Sequence, residues 1–278
     1  MFTKNRMRKK ISFLLGAVIA GFLVAAALVA LVIVNQPKPP KPEPPTEPTY
    51  MPPEETELQP EDFQYDGPFL TCTAAPTVLG IDVSQFQKNI DWQQVKDAGI
   101  QFVIIRVGGR GYGAEGKIYA DDMAQTYYEG AKAAGLKVGV YFFSQAITKA
   151  EARQEALYTL QVTEGWELEM PIVYDWEVVE AENSRTRDVD PRVITDCMKA
   201  FCEVIEDNGR DVMVYFNPDL SLSSIYLEEL TIYDFWLAYY TDWNNYPYKV
   251  DMWQYTSTGS VPGIEGNVDI NLFFPEAR

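Results

Sequence analysis

From Val78 onward the chain alternates between short apolar runs and stretches of helical periodicity. The runs are Val78–Val83, Phe102–Val107, Lys137–Phe143, Pro171–Trp176, Asp211–Phe216, Phe235–Tyr240, Val250–Tyr255 and Val268–Phe273. Their length and β-branched content predict strands. Helices are predicted between the first five, around Trp92–Ala98, Asp121–Ala134, Lys149–Thr163 and Val193–Asn208. Gly99, Gly135, Gly165 and Gly209 stand where a helix needs a left-handed stop. Strands alternating with helices imply parallel βαβ units. Eight strands in about 200 residues imply an α/β protein, a closed TIM-like β/α barrel. Little helix separates the last three strands, so irregularity is expected there.

The pattern before Val78 is different. Ile11 to Val34 is a 24-residue apolar run broken only by Ser12, Gly16 and Gly21. As a helix it would span about 36 Å, enough for a bilayer core of roughly 30 Å. Residues 1–10 form a basic tail that stays inside the cell, which puts the rest of the chain outside. The expectation is a single-pass anchor in the cell membrane with its partner, the lipid bilayer, at 11–34. The alternative is a cleaved signal and a secreted protein, although signal cores usually run only about 7–15 residues. Asn35 to Asp62 holds ten prolines and almost no apolar side chains. That composition predicts an extended linker reaching on the order of 85 Å at about 3.1 Å per residue. The working domain is then 63–278.

Composition narrows the chemistry. The chain of 278 residues has no histidine, three cysteines and 40 acidic residues. Ser-His-Asp catalysis, His-ligated zinc and imidazole proton transfer are excluded, and three thiols cannot build a four-thiolate zinc site. No phosphate-binding glycine loop is present. No cofactor or metal is expected. Net charge is −17, and beyond the five basic residues of the tail 18 basic face 40 acidic side chains. Nucleic acid is not an expected partner, because binding it requires basic neutralisation of phosphate. Cys197 and Cys202 cannot pair with each other, because residues five apart on a helix lie beyond the roughly 7 Å Cα limit of a disulfide. Cys72 is left to bridge to one of them, or all three remain free thiols.

Carboxylates are therefore the candidates for proton transfer. In a barrel the site lies at the C-terminal strand ends. Asp82, Arg106, Tyr141 and Phe143, Asp175 and Glu177, Tyr215 and Asn217, Tyr239 and Tyr240, Trp253 and Gln254, and Asp269 fall there. Acids ringed by aromatics suit a sugar-cleaving groove. Asp175 and Glu177 are two apart on one strand, about 6.7 Å along the backbone, and share the face of Val173. Each charge raises the pKa of the other, as a general acid needs. On spacing alone the pair fits catalysis or an ion pair with Arg106. Tyr141, Tyr215, Tyr239, Trp253 and Arg106 are the candidate substrate contacts.

Gly-Ile-Asp-Val-Ser-Gln-Phe-Gln (80–87), Ile-Asp-Trp (90–92), Phe-Val-Ile-Ile-Arg (102–106) and Gly-Val-Tyr-Phe-Phe (139–143) follow one another in order. Tyr-Asp-Trp-Glu (174–177), Phe-Trp-Leu-Ala-Tyr-Tyr (235–240), Trp-Gln-Tyr-Thr-Ser-Thr-Gly (253–259) and Val-Pro-Gly-Ile-Glu-Gly-Asn-Val-Asp-Ile-Asn (261–271) complete the set. Over residues 78–274 this resembles glycoside hydrolase family 25, the Chalaropsis-type lysozymes. The resemblance implies cleavage of the β-1,4 bond between N-acetylmuramic acid and N-acetylglucosamine, with peptidoglycan glycan strands as partner. It implies Glu177 as general acid/base and Asp175 as the residue orienting the substrate's acetamido group for attack, with retention. Asp82 and Asp269 would tune charge and hold the sugar. The protein is expected to act as a monomer. A non-catalytic glycan-binding module on the same barrel is the alternative, which retention of all four acids disfavours. A related barrel hydrolase of another acetylated glycan is a third. Two positions depart from the family: Lys88 stands where glycine is frequent, and Phe142 where many members carry histidine. The second change is expected to alter substrate contacts. The family's usual wall-binding repeats are missing, and the anchor is expected to replace them.

Overall fold

The computed structural model describes residues 50–275. The anchor read at 11–34 and the linker residues up to 49 lie outside them. Among the described residues no helix is long and apolar enough to cross a membrane.

The eight expected strands all form, with small shifts at their ends. They are β3 (Val78–Val83), β4 (Phe102–Arg110), β6 (Lys137–Ser144), β7 (Ile172–Trp176), β8 (Val212–Phe216), β9 (Asp234–Ala238), β10 (Met252–Gly259) and β11 (Val268–Phe273). They hydrogen-bond in the order β3-β11-β10-β9-β8-β7-β6-β4, and pairing of β3 with β4 closes the barrel. A short strand, β5 (Ile118–Ala120), folds back antiparallel on the end of β4. The helices between the early strands are α1 (Trp92–Asp97), α2 (Ala124–Ala133), α3 (Lys149–Val162) and α4 (Pro191–Asp207). The four glycine stops all adopt φ between 69° and 99°. Asp91, Thr148 and Asp190 cap α1, α3 and α4 through side-chain oxygens, each satisfying a free backbone N–H of the first turn. A further short helix, α5 (Pro218–Ser223), capped by Asn217, follows β8.

Alternation along the strands sorts side chains into two layers. Phe102, Ile104, Val173, Met213, Trp236 and Met252 fill the barrel interior. Val103, Ile105, Ile172, Tyr174, Val214 and Leu237 face outward against the helices. Gly80 shows how tightly the interior is filled: a Cβ there would lie 2.2 Å from the Phe102 ring. All three cysteines are free thiols; Cys197 and Cys202 are buried on the apolar face of α4.

Two features give the barrel its irregularity. First, β11 runs antiparallel to both β10 and β3. Its beginning, not its end, therefore reaches the end of the barrel where the parallel strands finish. Second, residues before β3 are part of the fold. A hairpin of β1 (Phe63–Asp66) and β2 (Phe69–Cys72) buries Phe63, Phe69 and Leu70. Phe63 meets Trp253 edge-on at 5.1 Å, and the Tyr255 hydroxyl accepts from the Leu70 N–H at 3.3 Å. The hairpin thus covers the outer face of β10, where no helix intervenes. Residues 50–62, counted with the linker for their prolines, also lie on the barrel. Glu55 bridges Tyr248, and Thr56 N–H donates to the Pro247 carbonyl at 3.0 Å. Residues 50–62 accordingly belong to the same compact unit as the barrel.

Candidate active site

Val173 on β7 points into the barrel interior, and Asp175, two residues on, lines the cleft above it. Pairing with β6 stops at Trp176, and Glu177 continues the same alternation, so both carboxyls open into one cleft. The backbone there is held by Gln145, whose side-chain amide donates to the Glu177 carbonyl at 2.7 Å and to that of Ser144 at 2.8 Å. The Thr186 hydroxyl donates to the Gln145 oxygen at 3.0 Å, tying in the loop that follows β7.

Asp82 ends β3, and antiparallel β11 sets Asp269 directly opposite it. Gln254 and Asn271 each donate an amide N–H to the same Asp82 oxygen, Oδ2, at 2.8 Å. Those amides are themselves oriented. Tyr215 and Tyr240 hydroxyls donate to the Gln254 oxygen at 3.0 and 2.9 Å, and the Trp236 indole donates to Asn271 at 2.8 Å. A fully satisfied network of this kind fixes each member's rotamer.

Burial dominates the electrostatics. It lifts Asp175 well above the usual carboxylate range, and the charge of Glu177 lifts it further. Burial also raises Asp82, with Asp269 adding to the effect and the two amide hydrogen bonds opposing it. Asp269 is pushed up to about 6 by burial, its own backbone hydrogen bond opposing the change. Glu177 is raised by burial, and a hydrogen bond with Asp175 opposes that rise. The two carboxyls are thus coupled, each facing the other's charge in a buried setting. Asp175 Oδ1 is buried without a hydrogen-bond partner, a costly arrangement that a donor from a ligand would relieve.

Arg106 does not pair with Asp175 or Glu177. Its Nε donates to Asp121 Oδ2 at 2.8 Å, because the return of β5 along β4 sets Asp121 beside it. Asp121 is held in turn by the backbone N–H groups of Gln85 and Met123 at 3.0 and 3.1 Å. The four acids, Arg106, Tyr141 and Tyr215 line a solvent-open cleft of about 250 Å³. Phe86, Phe143, Trp236, Tyr240 and Gln254 line it with them.

Tyr239 and Trp253 are corrections. Alternation turns both outward: Trp253 is fully buried against Phe63 and Tyr255, and its indole donates to the Tyr239 carbonyl at 2.8 Å. Their neighbours Tyr240 and Gln254 take the cleft positions. Counting by twos from the interior residues Trp236 and Met252 reaches both, so the signal was present in the sequence. Asn271 follows the same count from Asp269. Phe86 carried no signal beyond its aromatic ring and its place in the first motif. Phe142 also faces outward, fully buried against Tyr158, so the replacement of the family's histidine bears on the outer core rather than the cleft. Among the described residues no group of three or more His, Cys, Asp or Glu side chains is arranged to hold a metal ion.

The family model for glycosyl hydrolases family 25 matches residues 81–264, a span from β3 almost to β11 that contains Asp82, Asp175 and Glu177. The chain belongs to glycosyl hydrolases family 25. Within the family it is similar to the autolytic lysozyme of Clostridium acetobutylicum, 29% identical over 199 residues, covering 70% of this chain and 55% of that protein. The modular autolysin LytC of Streptococcus pneumoniae superposes with a TM-score of 0.62 at 26% identity, covering 71% of this chain and 47% of LytC. LytC has also been solved in complex with a synthetic peptidoglycan ligand. The lysozyme of Streptomyces coelicolor gives a TM-score of 0.60 at 27% identity, covering 70% of this chain and 91% of that one. The chain spans about half the length of the first two relatives. The shared part is the family 25 barrel.

Proposed function

We propose that this family 25 chain is an N-acetylmuramidase, cleaving the β-1,4 bond between N-acetylmuramic acid and N-acetylglucosamine in peptidoglycan. The observation that carries the reading is the Asp175–Glu177 pair, sharing one cleft with an unpartnered Asp175 oxygen. The kinship with lysozymes supports it. An acetamido N–H arriving at Asp175 Oδ1 favours the Asp175 anion, so that the proton of the coupled pair stands on Glu177. Glu177 then protonates the leaving glycosidic oxygen while the acetamido oxygen attacks the anomeric carbon. In the second half Glu177 takes a proton from water as that water opens the cyclic intermediate, with net retention. Because the nucleophile belongs to the substrate, the carboxyl separation does not set the outcome as it does in two-carboxylate glycosidases. Asp82 and Asp269 hold the sugar and set the charge around it.

Glu177→Gln keeps the shape and removes the acid. Wall-digesting activity falls by about 10²–10⁴-fold with the thermal melt unchanged. Near-normal turnover by the folded variant contradicts the assignment.

The same proposal places the chain in the cell membrane through 11–34, as a monomer, with the barrel outside. The long apolar run behind a basic tail supports this. The mature N-terminus in the membrane fraction should map near Met1, and light scattering should give one copy. A terminus near Asn35 would mean a cleaved signal and a secreted enzyme.

A further inference from the structure

Arg106 is the one cation among the described residues that line the cleft. Its side chain is only 9% exposed, and one of its donors is committed to Asp121. The Phe86 ring lies over the guanidinium, 5.1 Å from its carbon to the ring centroid. That leaves the two terminal amino groups for the cleft. A guanidinium held so rigidly, with its fork unused, is built to receive oxygen acceptors.

Its position says which ones. β4, β6 and β7 are successive strands, with Arg106 in register with Tyr141 and Phe143 in register with Asp175. The charge of Arg106 acts on Asp175 across β6, and Glu177 lies two residues beyond Asp175. Glu177, Asp175 and Arg106 thus follow one another along the wall. A pyranose ring presents its substituents in a matching order. With the leaving oxygen on C1 at Glu177 and the acetamido group on C2 at Asp175, the substituent on C3 falls toward Arg106. In muramic acid that substituent is a lactyl ether with carbonyl or carboxylate oxygens; in N-acetylglucosamine it is a hydroxyl.

We infer that Arg106 reads the lactyl oxygens of the muramic acid at the cleaved bond and so selects muramic acid over N-acetylglucosamine. This rests on the muramidase reading above. Asp121 and Phe86 are positioning residues for it: one anchors Nε, the other fixes the plane of the fork.

The test uses the full chain carrying Glu177→Gln, so that nothing turns over, and two disaccharides that differ only in the lactyl group. These are the β-1,4 disaccharide of N-acetylmuramic acid on N-acetylglucosamine, and diacetylchitobiose. By calorimetry the muramyl probe binds about 10- to 100-fold more tightly, the range of a hydrogen bond to a charged group. Arg106→Met abolishes that preference and leaves chitobiose binding within about twofold. Arg106→Lys, which keeps charge without the fork, retains part of it. Should Arg106→Met fold poorly because Asp121 is stranded, Arg106→Met with Asp121→Asn removes both charges together and should show the same loss. A muramyl preference that survives in the folded variants, or equal weakening of both probes, overturns the assignment. If the unmutated chain releases muramic ends from peptidoglycan while the preference ignores Arg106, this inference alone falls. If it releases none, the muramidase reading falls with it.

Discussion

Lys88 occupies φ 54° and ψ −121°, a region that favours glycine, and it is the one non-glycine residue at positive φ among those described. It closes the 3-10 turn after β3, immediately behind the cleft residues Phe86 and Gln87, and its carbonyl accepts from the Tyr127 hydroxyl. The frequent glycine of the family at this position answers a backbone requirement that the lysine meets under strain. Lys88→Gly should therefore stabilise the fold by about 1 kcal/mol. The thermal midpoint should rise by about 2–4 °C. An unchanged or lower midpoint contradicts the strain. Asp269 is a second residue held in an unfavourable state. Its pKa in the fold, about 6, exceeds the unfolded carboxylate value of 3.8, so the folded chain holds more protons between those limits. Stability from this group is full below about pH 4 and is lost as pH rises through about 6. Asp269→Asn should raise the thermal midpoint at pH 7.5, relieve Asp82 of a neighbouring charge, and give no gain at pH 4. A gain of equal size at both pH values would mean that ionisation is not the cause.

At the scale of elements, the barrel strands were legible because each is a short apolar run with a turn signal after it. The helices were legible because their apolar residues repeat at helical spacing up to a glycine. The β1–β2 hairpin was not. Its Asp66-Gly67-Pro68 turn is visible in the sequence, but its strands are only four residues long and pair only with each other. What stabilises it is contact with Trp253 and Tyr255, almost 190 residues away along the chain, and no local pattern announces that. The direction of β11 was hidden for the same reason, since strand periodicity is identical in parallel and antiparallel sheets. The hairpin takes the place of a helix over β10, whose next residue inward, Gln254, orients Asp82. Phe63→Ala removes a buried ring and should destabilise the chain by roughly 3 kcal/mol or more in urea titration. Activity should also fall below the melting range, as the Trp253–Gln254 segment loosens. A stability loss under about 1 kcal/mol would show that the hairpin is an appendage.

For the whole molecule, the absence of histidine left carboxylates as the candidate proton carriers, and the fold gathers four of them at one end of the barrel. The sequence pointed to these four because each lies within a motif at or beside a strand terminus. It misassigned Tyr239 and Trp253 because the neighbouring aromatic and polar residues at those strand ends were not sorted by the alternation that decides which side faces the cleft. The amide clamp of Gln254 and Asn271 on Asp82 could not be seen before β10, β11 and β3 were placed side by side. These acids, together with the family membership, make the proposed activity the central claim: cleavage on the muramic acid side of the glycan. Its most direct test is digestion of purified peptidoglycan by the full chain, borohydride reduction of the new ends, and identification of the reduced sugar by mass spectrometry. The account predicts muramitol, with the yield lost in Glu177→Gln. Reduced N-acetylglucosamine at the new ends, or no new ends at all, would contradict it.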